Sequence, residues 1–367
     1  MKNVVIIGAG QTGRGYLARL LYLSGQPFVM LDRDEELVRR FRGKSSYEIR
    51  FGGSGRGPIE MPVPEIYGMD EKEAAVTLRE ADLIFTSVAE QNLPALIPYL
   101  QKAVQERTKE NPLTLITCEN GVSPKKKLEG AIDRERLILS EAVIFCTTLK
   151  EDGESLDILS EDLDWLPYDV KALGDTLPYH GMEAEERFPQ LLERKIYTYN
   201  CLSACVTYPG AVLGYTDYAE AANDPAVVQI MEEVCRSLNQ SLSRRYGITE
   251  MEQAEFSARA VRKFQNRSIR DTIERNARDV QRKLGPRERM IAPLLIMKEY
   301  GCDTSALEKV TAAAVLYGER TGTLKLDGKP VENPAEQLGE LLAQLDEETL
   351  GQIRKEYERL RTDFPET

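Results

Sequence analysis

Residues 3–7 (Asn-Val-Val-Ile-Ile) bring the first unbroken apolar run, four β-branched residues after Asn3. That pattern predicts a strand buried on both faces of a parallel sheet. Tyr16, Leu17, Leu20, Leu21 and Leu23 then recur at helical spacing, and Gly25 stops them. A second strand follows at Phe28–Leu31 and ends in Asp32. Runs at 81–88, 113–118 and 136–140 repeat the strand pattern, separated by helical stretches that include 93–109. Such alternation predicts an α/β fold with a doubly wound, mostly parallel Rossmann sheet. Residues 44–66 alternate differently, around Gly52-Gly53-Ser54-Gly55, and predict an antiparallel hairpin outside that sheet. From Pro189 the pattern is helical as far as Lys298, and 334–362 reads as one more charged amphipathic helix. The expected organisation is a nucleotide-binding domain at 1–185 and a mainly α-helical domain at 186–367. The Gly-, Pro- and acid-rich stretch 174–189 connects them.

Chemistry enters at the first turn. Gly8, Gly10 and Gly13 stand in the spacing G-x-G-x-x-G between strand and helix, with Thr12 inside the loop. Gly8 permits a tight turn, Gly10 lets the backbone approach a pyrophosphate, and Gly13 lets the helix pack on the strand. The helix N-terminus supplies N–H groups to the phosphates. Asp32, nineteen residues beyond Gly13, suits the ribose hydroxyls and repels a 2′-phosphate, which predicts NAD as the cofactor. Arg33 lies beside it. Ser87 and Val88, at the end of the next central strand, are expected near the ribose and nicotinamide. Glu119-Asn120-Gly121 ends the strand after that and reads equally as a turn or as part of a site.

Composition narrows the classes. The net charge of −12 argues against nucleic acid as a partner, and no apolar run is long enough for a membrane span. Six cysteines without CxxC pairs read as free thiols in a reducing, cytoplasmic setting. His180 is the only histidine, so no histidine-based metal site is expected. Charge is uneven, however. Residues 259–289 hold eleven Arg and Lys against four acids, a local +7 that suggests an anionic small molecule.

Residues 191–206 (LLERKIYTYNCLSACV) present Lys195, Asn200 and Ser203. A regular helix would set them at about 0°, 140° and 80° around its axis, all on one side. By pattern alone the lysine reads as a solvated charge or as a group converging with the asparagine on a ligand. Here the chain resembles the polyol-specific long-chain (mannitol) dehydrogenase family. The resemblance lies in GAGQTGRGYLARLL at the start, CEN at 118–120, the stretch 177–204 and the stretch 262–301. It implies a Rossmann domain, then a helical domain, with substrate between them. It also implies metal-independent hydride transfer between NAD(H) and a polyol/ketose pair.

The family signature is Lys, four residues, Asn, two residues, His. Lys195 and Asn200 match it, whereas Ser203 stands at the histidine position. Asn120 matches a second oxygen-binding asparagine. The resemblance thus implies Lys195 as the base, with Asn120 and Asn200 as donors to the alkoxide. Relatives carry Val-Asp-Arg where this chain has Val143-Ile144-Phe145. The expected partner is a polyol or sugar, phosphorylated or not, with Arg262, Lys263, Asn266 and Arg270 as candidates to bind it. The chain is expected to be a monomer or small homo-oligomer. Two alternatives stand beside this: a dehydrogenase of another sugar-derived substrate such as a uronate, and an NAD-binding protein without turnover.

Overall fold

The computed structural model describes residues 2–365 apart from 122, 134 and 152. The chain forms two compact units, Met1–Leu192 and Glu193–Thr367.

In the first unit β1 (Val4–Ile7) and β2 (Phe28–Asp32) precede an antiparallel pair, β3 (Ser46–Phe51) and β4 (Ile59–Pro62). Then come β5 (Glu65–Gly68), β6 (Leu83–Thr86), β7 (Leu113–Thr117) and β8 (Leu137–Glu141). The short strands β9 (Thr148–Lys150) and β10 (Ile158–Ser160) complete this series. Six of these strands make a parallel sheet in the order β5-β2-β1-β6-β7-β8. This is the Rossmann order, whose direction of winding reverses between β1 and β6. The unbroken apolar run in β1 has a simple cause. Val4 and Ile6 enter the core on one face of the sheet, and Val5 and Ile7 enter the core on the other.

The 44–66 hairpin forms as expected, but it belongs to a second sheet, β4-β3-β10-β9, in which β10 runs parallel to β3. Buried Arg19 on the helix Ala18–Leu23 holds that sheet in place. It donates to Ser160 Oγ at 2.7 Å, pairs with Asp164 at 3.0 Å and lies 5.0 Å over the Phe51 ring. β5 was not expected: it sits at the sheet edge, where only Ile66 and Gly68 are buried, so its pattern is weak. Residues 174–189 include β12 (Met182–Glu185), which pairs in parallel with β11 (Leu166–Asp169).

The second unit is helical around Cys201–Val212, whose Cys201, Leu202, Ala204, Cys205, Val206 and Tyr208 are all fully or almost fully buried. A helix apolar on every side belongs inside a core. Against it pack Pro225–Tyr246, Glu250–Phe264 and Ser305–Arg320, while Ile291–Glu299 packs on Pro225–Tyr246 and Glu347–Asp363 on Ser305–Arg320. Their ends are set by local chemistry. Asp224, just before Pro225, accepts from the Ala226 and Val227 N–H groups, and left-handed Gly247 ends that helix. The single helix expected at 334–362 is two, Pro334–Leu341 and Glu347–Asp363, because Asp346 caps a new start by accepting from the Thr349 N–H. Likewise 93–109 divides into a tight 3₁₀ segment, Glu90–Leu96, and the helix Ile97–Glu106.

Candidate active site

A cavity of about 450 Å³ opens in the first unit at the carboxyl ends of β1, β2, β6 and β7. Gly8, Gly10, Thr12, Asp32, Arg33, Ser87, Val88 and Asn120 line it, with Glu119 and Ile144. Open α/β sheets bind nucleotides at this reversal point. The three glycines differ in what they allow. Gly8 has φ +104°, and a Cβ there would overlap the Ser87 carbonyl. A Cβ on Gly13 would run into the Gly8 carbonyl. Gly10 faces open space, which leaves room for a phosphate at the helix start.

Asp32 accepts from the Ala9 N–H at 2.6 Å and from the Asp34 N–H at 2.9 Å, so it also fixes the glycine loop. Arg14 does the same from within the unit. Its guanidinium is buried and donates to the Ala9 carbonyl at 3.0 Å and the Leu156 carbonyl at 2.8 Å. The cradle, the open position at Gly10 and the acid at the end of β2 fit a dinucleotide carrying a free 2′-hydroxyl.

In the second unit the stretch carrying Lys195 departs from a regular helix. The helix Phe188–Lys195 gives way to a π-helical turn, Ile196–Asn200, before Cys201–Val212 continues. The Cys201 N–H bonds to the Ile196 carbonyl, five residues back. The turn is anchored by side chains. Buried Thr198 accepts from Gln253 Nε2 at 2.9 Å, and the Tyr199 ring meets Phe256 and Phe264 edge-on. A π turn advances only ~82° per residue. Asn200 therefore lies about 50° from Lys195 instead of about 140°, and Ser203 comes back almost into line with the lysine. The wide turn gathers the three residues more tightly than a regular helix does.

Lys195 is 9% exposed. Burial, with Lys263 and Arg289 nearby, pushes its amine down to about 7, so near neutral pH a large share is uncharged. Ser203 Oγ accepts from the Tyr218 hydroxyl at 3.0 Å, and Tyr218 is itself buried. Of the four basic-window candidates, Lys263 acts on the lysine. Asn266 is partly buried and takes the Ser268 N–H at 3.0 Å, while Arg262 and Arg270 are exposed.

Two cations escaped the sequence reading. Arg289 is largely buried; its Nε lies 3.5 Å from Glu288, which also holds Arg282 at 2.6 Å. Buried Lys283 donates to the Asn276 carbonyl at 2.6 Å, and burial with Arg289 and Arg282 pushes its amine down to about 7. Both belong to the +7 window, but only the fold distinguishes them from their solvated neighbours. In the first unit Arg14 was missed because an arginine after Gly13 looks like an ordinary helix-surface charge.

Residues 2–149 match the mannitol dehydrogenase Rossmann domain, and residues 189–347 match the mannitol dehydrogenase C-terminal domain. A mannitol-1-phosphate 5-dehydrogenase of Oceanobacillus iheyensis is 30% identical over 86% of this chain and 87% of its own length. One from Enterococcus faecalis is 28% identical over 81% and 82%. Among solved structures, a substrate-free D-sorbitol dehydrogenase has a TM-score of 0.77 at 13% identity, covering 98% of this chain and 93% of its own. The mannitol 2-dehydrogenase of Pseudomonas fluorescens, in ternary complex with NAD and D-mannitol, has a TM-score of 0.70 at 16% identity, covering 99% and 91%. These two share the fold. By the sequence relations the chain is an NAD-dependent oxidoreductase acting on CH–OH groups. It belongs to the mannitol dehydrogenase family.

Proposed function

We propose that the chain interconverts a polyol, in its phosphorylated form, and the corresponding ketose phosphate, with Lys195 as the general base. The observation that carries this is the buried Lys195 amine, its pKa lowered to about 7, at the start of the π-helical turn that leads to Asn200. NAD supplies the hydride acceptor in polyol oxidation and, when reduced, the donor for the return. Removal of the hydroxyl proton must accompany departure of the hydride, and an uncharged amine takes that proton. The amide of Asn200 donates to the oxygen as negative charge develops, an effect worth about 3 kcal/mol in comparable sites, and the family pattern implies Asn120 as a second donor. Tyr218 fills one acceptor position of Ser203, leaving its own proton to be donated. In this role the serine orients a substrate hydroxyl but carries no charge, unlike a histidine.

A phosphate ester is favoured by the cations gathered around this lysine. Lys263 and Arg289 both act on its amine, and the Arg289 Nε lies 3.5 Å from Glu288. Arginine suits a phosphate dianion by forked hydrogen bonding. The related enzymes named for mannitol 1-phosphate support the same class. Ile144, in the wall of the cofactor cavity, gives the second reading its support. Ile144 stands where relatives carry an aspartate, and loss of that carboxylate removes a charge that would repel a sugar acid such as a uronate. Reduction by NADH of fructose 6-phosphate, fructose and a ketouronate separates these. The proposal expects fructose 6-phosphate to exceed fructose by at least tenfold in kcat/KM. Preference for the uronate would displace it. The cysteine thiols support a reducing, cytoplasmic setting.

A further inference from the structure

Glu119, just past the end of β7, lines the cofactor cavity and is 5% exposed. Its carboxylate accepts from Thr86 Oγ1 at 3.0 Å and from the Val88 N–H at 3.1 Å. It thereby ties β7 to the end of β6, at the point where the sheet reverses. The residue after Val88 is Ala89, with φ +68° and ψ 141°, a conformation that L residues rarely adopt. One buried carboxyl therefore anchors a strained turn in the cavity wall. No basic side chain pairs with it among the described residues. Burial pushes its pKa up to about 7 against the pull of its hydrogen bonds.

Charges facing it from neighbouring elements do not compensate it. Cys118 contributes a buried thiol, and Glu90 approaches Gly121 from the following segment. Asp32 and Arg33 line the same cavity from the end of β2. On the β8 side Lys125 is already paired with Glu141 at 3.4 Å and Asp169 at 3.0 Å.

We propose that Glu119 senses the redox state of the cofactor: its carboxyl ionises when the positively charged oxidised nicotinamide occupies the cavity and is protonated when the neutral reduced ring does. This rests on the NAD site described above. A positive ring beside a carboxyl favours the carboxylate, and the displaced proton leaves to solvent. When the ring takes up a hydride its charge disappears, and Glu119 recovers a proton from solvent. The carboxylate thus favours NAD⁺ over NADH above neutral pH, and the preference declines as pH falls.

The test is calorimetric binding at pH 7 in two buffers of different ionisation heat. If the ring makes the carboxyl tenfold more acidic, NAD⁺ binding releases about 0.4 proton. NADH and ADP-ribose, which lack the positive ring, should release none. The NAD⁺-to-NADH affinity ratio should rise up to about tenfold from acidic to alkaline pH. In a Lys195→Met background, where that amine can release no proton of its own, the proton release should persist, and adding Glu119→Gln should leave NADH binding intact but abolish both effects. Equal release in wild type and Glu119→Gln, or equal release with ADP-ribose, overturns the proposal. Should the glutamine variant fail to fold, infrared difference spectra of the wild type decide. The protonated-carboxyl band should vanish with NAD⁺ and persist with NADH; its persistence with both overturns the proposal. Failure of NADH itself to bind would instead sink the cofactor site.

Discussion

The glycine loop and the Lys195 cluster are built from opposite materials. The loop is backbone geometry, in which Gly8 and Gly13 leave no room for a Cβ and Gly10 leaves a vacancy. Around Lys195 the chemistry is electrostatic: one buried amine, with the side-chain charges of Lys263 and Arg289 acting on it. Steric sites fail abruptly when an atom is added. Electrostatic sites fail by degrees as each charge is removed. The two should therefore respond differently to substitution.

The largest effect belongs to the amine. Lys195→Ala should lower kcat by ~10³-fold, within the range for loss of a general base, with NADH affinity unchanged within about twofold. Stopped-flow turnover and fluorescence titration read the two quantities. Next is Gly13→Ala, which forces a Cβ onto the Gly8 carbonyl. It should cost at least about 3 kcal/mol of stability by urea unfolding. Gly10→Ala, into open space, should leave unfolding unchanged while weakening NADH binding. Equal destabilisation by the two would remove the steric contrast.

Charge removal should act more gently. Lys263→Met or Arg289→Gln takes away a cation that depresses the Lys195 pKa. For polyol oxidation the amine must be neutral, so activity rises with pH through about 7 in the wild type. Either variant should move that limb to higher pH, by about half to one unit. A limb that stays in place would separate these cations from the base. The smallest effect is expected of Ser203→Ala, which loses one neutral hydrogen bond. It should change kcat/KM by about tenfold or less.

The same contrast decides how much was legible in the sequence. β1 could be read because both its faces are buried, and the loop could be read because each glycine has a steric reason at a fixed spacing. β5 could not, since an edge strand with two buried residues shows no clear alternation. The π turn was also hidden: IYTYN has the composition of a helix of either pitch, and Gln253, which anchors it, lies over fifty residues away. Lys195 and Asn200 were visible through a family pattern, but Arg289 and Lys283 were submerged among eleven basic residues. Glu119 adjoins an Asn-Gly pair that looks like any turn, and only its burial between two strand ends marks it.

Chemical rescue of Lys195→Ala tests the central claim most directly. Small primary amines added to this variant should restore polyol oxidation in proportion to their free-base concentration, and leave NADH affinity unaltered. A variant that oxidises the polyol at the wild-type rate, or one that binds cofactor normally yet gains nothing from any amine, would contradict the assignment of the base.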